Sequence, residues 1–175
     1  MMAKRRQRTQ KPLAGRVAVV AGATRGAGRG IARALGEAGA IVYCTGRSVQ
    51  GNPSPYQRPE TIDETTEMIN AAGGTAIPVR VDHTVESEVE ALFARVQREQ
   101  GRLDVVVDSV AGEDPINSAY GWFWEVDLSD AAKGVGNALV SLGCLMAFSS
   151  SRIASVSGRR SLTEINVSSC TGGSD

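Results

Sequence analysis

The sequence predicts an α/β fold built on a doubly wound parallel sheet. Three observations carry that expectation. Between positions 16 and 112, short apolar runs alternate with amphipathic helix-length segments, roughly every 20–30 residues. The first run, Val17-Ala18-Val19-Val20, leads directly into a glycine-rich turn that opens a helix. Hydrophobic content of 42% and charged content of 22% over 175 residues suit one soluble globular domain with a real core.

The elements follow in order. Gly26 through Leu35 forms the first helix, and Ala40-Ile41-Val42-Tyr43-Cys44, entered after Gly39, forms the second strand. Gly51, Pro53, Pro55 and Pro59 make the segment from Ser48 to Pro59 a loop. A helix from Glu60 to Ala72 sets Ile62, Thr65, Met68, Ile69 and Ala72 on one face, and Gly73-Gly74 ends it. Thr75–Val81 is the third strand. Val85–Gln100 is a helix with Val85, Val89, Leu92, Phe93 and Val96 at helical spacing, stopped by Gly101. Leu103–Val107 is the fourth strand, and right-handed crossovers put the first strand at the centre of the sheet.

Beyond Gly112 the pattern loosens. Ala131–Met146 reads as a helix on Ala131, Val135, Ala138, Leu139, Leu142 and Leu145, despite Gly134, Gly136 and Gly143. From Ser149 the composition shifts to serine, glycine and arginine, with a fifth strand expected at 164–169. The chain thus divides into a basic disordered leader (1–14), the α/β domain (15–148, incomplete at its C-terminal side) and a tail (149–175).

Charge and cysteine usage exclude several classes. Net charge is zero, so nucleic acid is not expected as a partner. The uneven feature is the head, where Lys4, Arg5, Arg6, Arg8 and Lys11 stand without an acid. A polyanion contact there would be sensitive to salt and lost on removing residues 1–11. Cys44, Cys144 and Cys170 are widely spaced and read as reduced thiols of a cytoplasmic protein. A single histidine, His83, excludes multi-histidine metal centres, and no run is long enough to span a membrane.

The chemistry begins at Ala21-Gly22-Ala23-Thr24-Arg25-Gly26-Ala27-Gly28. A strand, a glycine turn and a helix N-terminus form the layout of a Rossmann-like dinucleotide site, in which backbone approaches the pyrophosphate and unpaired N–H groups receive it. Gly22 permits the bend, Gly26 the close approach, and Gly28 the packing of helix on strand. The spacing G-x-x-x-G-x-G resembles the short-chain dehydrogenase/reductase family, whose motif is T-G-x-x-x-G-x-G. Ala21 replaces the threonine, so a hydroxyl that braces the turn is missing. At the end of the second strand stands Thr45-Gly46-Arg47-Ser48, where an NAD site usually places an acid about 20 residues on from the turn. No acid follows until Glu60. Arg47 can pair with a 2′-phosphate, and Arg25 is a second candidate, with Thr24 and Ser48 beside them. Both arginines match positions used by NADP-preferring members of the family, so the expected cofactor is NADP(H).

The resemblance implies further site residues. Asp82 matches the family acid that meets the adenine amino group, and His83 then lies near the ring. On the residues alone, Asp82 or Thr84 would instead cap the next helix. The end of the fourth strand, Asp108-Ser109-Val110-Ala111-Gly112, stands where the family has Asn-Asn-Ala-Gly. Asp108 replaces the first asparagine, and Ala111 and Gly112 line the cofactor.

Family members transfer a hydride between the nicotinamide and a small-molecule carbonyl or secondary alcohol. A tyrosine handles the proton, and a lysine four residues later lowers its pKa from about 10. In this chain Tyr43, Tyr56 and Tyr120 are followed four residues later by Arg47, Glu60 and Trp124, so no Tyr-x-x-x-Lys exists. Ser169, three before Gly172, matches the catalytic serine, and Asn137 matches the asparagine of the proton relay. Two origins are expected to account for the missing pair. Either the chain is an amino-terminal part of a protein of about 250 residues, or a frame change after about Leu128 replaced the native continuation. An uncovered parallel sheet edge implies self-association into a homo-oligomer.

Overall fold

The computed structural model describes residues 11–53, 58–110, 128–153 and 163–166. Nine elements run β1 (Val17–Ala21), α1 (Gly26–Glu37), β2 (Ile41–Gly46), α2 (Ile62–Ala71), β3 (Thr75–Arg80), α3 (Glu86–Gln100), β4 (Val105–Asp108), α4 (Leu128–Ile153) and β5 (Thr163–Asn166). The five strands form one sheet in the order β3-β2-β1-β4-β5, all neighbours parallel. The expected α/β doubly wound architecture, with β1 at its centre, is what the chain adopts.

The position of β1 explains its sequence. A strand covered on both faces has no polar side, and all five of its residues are buried. Period-two alternation sends Val17, Val19 and Ala21 into one core with Val89, Leu92, Phe93 and Val96 of α3 and Leu145 of α4. Ala18 and Val20 enter the opposite core with Ala32 of α1 and Ile62 and Ile69 of α2. The α1–α2 contact is close: a Cβ on Gly36 would lie 2.4 Å from Ile69 Cγ2.

Polar groups fix the ends of the elements. Thr61 caps α2 by accepting the Glu64 N–H at 3.1 Å, and Gly101, at φ +67°, ends α3 in the left-handed conformation. Tyr43 of β2 donates to Glu99 at 2.8 Å, so the hydroxyl of a fully buried ring meets the end of α3. At the amino end of the sheet, Asp104 accepts from Arg16, Arg102 and the Val17 N–H, tying β1 to β4. Residues 11–14, placed in the leader by charge, make contacts here: Lys11 donates to Gly73 and the Leu13 N–H to Ala38.

Two helices depart from expectation. The helix expected at Ala131–Met146 runs from Leu128 to Ile153, because its glycines cost helix propensity without breaking backbone hydrogen bonding. Its buried face is also different. Ser141 and Leu145 are buried, whereas Val135 and Leu139 are 61% and 63% exposed. In α3, Val85 is its N-cap residue and is exposed, so the apolar stripe begins at Val89.

Candidate cofactor site

Parallel register brings the functional segments to one edge. Ala21 pairs with Thr45 on one side and Asp108 on the other, and Gly46 pairs with Arg80. The glycine turn, the Arg47 segment, Asp82-His83 and Ser109-Val110 therefore leave the sheet side by side at its carboxyl end, where open α/β sheets bind ligands.

The turn is shaped by its glycines. Gly22 has φ +77°, and a Cβ there would lie 2.5 Å from the Ser109 carbonyl oxygen. A Cβ on Gly28 would lie 2.1 Å from the Gly22 carbonyl oxygen, so the turn folds directly onto the first turn of α1. Gly26 has φ +54° with nothing within 4 Å of an added Cβ, which leaves its outer side open. The first turn of α1 carries no acid, and Arg25 makes no side-chain cap bond to it. Its positive end faces the open side.

Bracing of the turn comes from Thr45, Thr65 and Arg29, which the motif spacing does not single out. The Gly22 and Ala23 N–H groups both donate to the Thr45 carbonyl at 3.0 Å. The Thr65 hydroxyl of α2 donates to the Ala23 carbonyl at 2.9 Å, and Arg29 Nε donates to the Thr24 carbonyl at 2.9 Å. Glu64 holds the Arg29 guanidinium at 2.8 Å. These contacts brace a turn that has no hydroxyl at Ala21. Thr65 carried one signal: it is a polar residue on the buried stripe of α2.

Thr24 is buried, and its Oγ1 would lie 2.7 Å from a Cβ on Gly46, so the Thr24 side chain packs on the Gly46 backbone. Ser48 is buried and its carbonyl accepts the Ile62 N–H at 3.0 Å. Arg47 is exposed and Arg25 half-buried. Burial would raise the Asp82 carboxyl, but the Thr84 hydroxyl and N–H and the Arg47 charge hold it below its ordinary value. The Glu60 carboxyl is held low first by a backbone hydrogen bond of its own residue, then, against burial, by the charges of Arg58, Arg25 and Arg29. Glu60, at the entry to α2, thus lies in the field of Arg25.

Asp82 does not cap α3. Its Oδ1 accepts the Thr84 N–H at 3.0 Å and hydroxyl at 2.6 Å, a local turn that leaves Val85 as the N-cap residue. His83 is only 4% exposed, and its Nε2 lies 2.8 Å from Thr45 Oγ1. Burial lowers its pKa to about 4, against the pull of Asp82 and Glu88. Asp108 is buried and accepts the Val110 N–H at 3.0 Å. Burial pushes its carboxyl up, against that N–H and the Ser141 hydroxyl of α4. Asn137 lies half-buried on α4, whereas Ala111, Gly112 and Ser169 fall outside the described residues. No group of three His, Cys, Asp or Glu among the described residues is placed to hold a metal, and none of their helices is long and apolar enough to cross a membrane.

The short chain dehydrogenase family model matches residues 16–172. Dehydrogenase/reductase SDR family member 1 of Mus musculus is 46% identical over 121 residues, covering 67% of this chain and 36% of that protein. The chain therefore spans about a third of the length of this curated relative. A metagenomic short-chain oxidoreductase solved in complex with NADP is 28% identical, with a TM-score of 0.66 over 89% of this chain and 62% of that one. A short-chain dehydrogenase/reductase from Burkholderia xenovorans is also 28% identical, with a TM-score of 0.65 over 83% of this chain and 50% of that one. Motif spacing, strand order and a family match over nearly the whole length agree, and the chain belongs to the short-chain dehydrogenase/reductase family.

Proposed function

We propose that this chain binds NADP(H), as the cofactor-binding part of an oxidoreductase acting on a small-molecule carbonyl or secondary alcohol. The cofactor supplies the hydride when bound; the residues described here bind and orient it. The observation that carries the NADP reading is the pair Arg25 and Arg47 at the carboxyl edge of the sheet, with no acid at the end of β2. The adenosine 2′-phosphate would lie between these guanidinium groups, and its charge would compete with Glu60 and Asp82 for them. The pyrophosphate would face the open side of Gly26 at the N-terminus of α1. The same reading puts Asp82 at the adenine and Asp108, Ala111 and Gly112 along the nicotinamide half.

Titration of the 175-residue chain with NADPH and NADH, followed by nucleotide fluorescence, tests this. Tighter binding of NADPH is expected. Arg47→Ala should weaken NADPH about tenfold while leaving NADH within about twofold, as loss of one charge-assisted contact requires. Equal binding of the two nucleotides would sink the NADP assignment.

A second reading, favoured by the absence of Tyr-x-x-x-Lys, is a non-catalytic NADP-binding remnant or interaction protein. Binding of NADPH without carbonyl-dependent oxidation supports it for this chain, and turnover rejects it. We further infer self-association. Val135, Leu139, Val140 and Met146 expose apolar surface on α4, and a second copy of the same helix would cover it. Sedimentation velocity is expected to show a dimer or larger species that Leu139→Glu converts to monomer. A monomeric unsubstituted chain would exclude it.

A further inference from the structure

We propose that His83 is a positioning residue for the nucleotide-binding turn, acting as a neutral hydrogen-bond donor through Thr45. The role rests on the reading of the glycine turn as the nucleotide site, and it differs from contact with the adenine ring.

The connection is short and buried. His83 Nε2 lies 2.8 Å from Thr45 Oγ1, which itself lies 3.1 Å from the Val20 carbonyl oxygen. A carbonyl only accepts, so the single hydroxyl proton of Thr45 goes to Val20. The hydroxyl lone pair then receives a proton from His83, which fixes the imidazole as its Nε2–H tautomer. Nδ1 is buried and has no hydrogen-bond partner among the described residues. Thr45 is thus held at both its hydroxyl and its backbone, since its carbonyl accepts the Gly22 and Ala23 N–H groups at 3.0 Å each. The chain runs from the end of β3 to β2 and from there to the turn after β1. Thr45 also precedes Gly46, whose carbonyl accepts the Val81 N–H at 3.1 Å. The same pin therefore sets the point at which Arg47 leaves the strand.

A buried histidine that only stabilised the fold would affect all elements alike. One that positions the turn acts first on Gly22 and Ala23. His83 is the sole histidine of the chain, so its imidazole nitrogen resonances are unambiguous and should show the Nε2–H tautomer at pH 7. His83→Asn cannot extend a donor to Thr45, whereas His83→Gln reaches about as far as Nε2. His83→Asn should speed hydrogen exchange at the Gly22 and Ala23 amides and weaken NADPH on the order of tenfold, with exchange at Val106 and Val107 unchanged. His83→Gln should restore both to within about twofold. Thr45→Val should reproduce the Asn phenotype and add little to it in the double variant.

The Nδ1–H tautomer, equal behaviour of the Asn and Gln variants, or unchanged exchange at Gly22 and Ala23 would each overturn the proposal. Should His83→Asn fail to fold, the tautomer and Thr45→Val decide. If the unsubstituted chain binds no nucleotide, the proposed function fails, while the exchange and tautomer measurements still judge the link from His83 to the turn.

Discussion

Gly28→Ala is expected to abolish measurable NADPH binding and to destabilise the fold by about 3 kcal/mol, the upper range for forcing a methyl into a packed site. The added Cβ would sit 2.1 Å from the Gly22 carbonyl oxygen and 2.9 Å from its carbon, both backbone atoms. Gly22 cannot recoil, because its own Cβ position is 2.5 Å from the Ser109 carbonyl oxygen and its N–H is held by Thr45. The turn and α1 must separate, which displaces the N–H groups proposed to receive the pyrophosphate. Neighbouring glycines give the contrast. Gly30 lies inside α1 with nothing within 4 Å of an added Cβ, so alanine there should be neutral or stabilise by up to about 1 kcal/mol. Gly26→Ala meets no atom but must hold φ +54°, a cost of about 1 kcal/mol. Urea unfolding of the three variants, with NADPH titration of each, checks the order Gly28, Gly26, Gly30. Normal NADPH binding by Gly28→Ala would refute the placement of the nucleotide at this turn.

Much of the architecture was legible because its signals are local. A strand covered on both faces must be apolar throughout, and Val17–Ala21 is; helix stops at Gly39, Gly73 and Gly101 all have positive φ. The glycine turn was legible for the same reason, since backbone conformations open only to glycine leave a mark at fixed spacing. Less legible were interactions that join distant segments. Nothing near Ala21 announces that Thr65, Arg29 and Thr45 brace the turn, because three separate elements supply them. In the sequence Glu60 is only the first acid after β2, yet the loop returns it to the field of Arg25. The buried face of α4 is not legible in its sequence because small and large residues spread around the helix. Periodicity favoured the stripe through Val135 and Leu139, whereas packing against α3 and β4 selected Ser141 and Leu145.

Acid should weaken the fold through His83 before it does so through most carboxylates. Unfolded, the imidazole titrates at its ordinary 6.5; folded, burial holds it at about 4, with Asp82 and Glu88 pulling the other way. As the pH falls through this window the unfolded chain takes up a proton that the folded chain refuses, so stability declines with falling pH. The loss begins near pH 6.5 and is complete below about 4, where both states are charged. It amounts to about 3 kcal/mol. Other groups act with different signs. Asp108, raised by burial, favours the fold as the pH falls, while Asp104 and Asp82, held below their ordinary values, add losses at lower pH. Comparison with His83→Gln isolates the histidine, because the amide keeps a donor toward Thr45 and does not titrate. Urea unfolding at pH 7.5, 5.5 and 4.5 should show the unsubstituted chain losing more stability than the variant, with the gap opening below pH 6.5. Parallel curves would mean that His83 is already as free to accept a proton in the fold as outside it. The buried Nδ1 then could not be the group that resists the charge, and the neutral-donor role would fall with it.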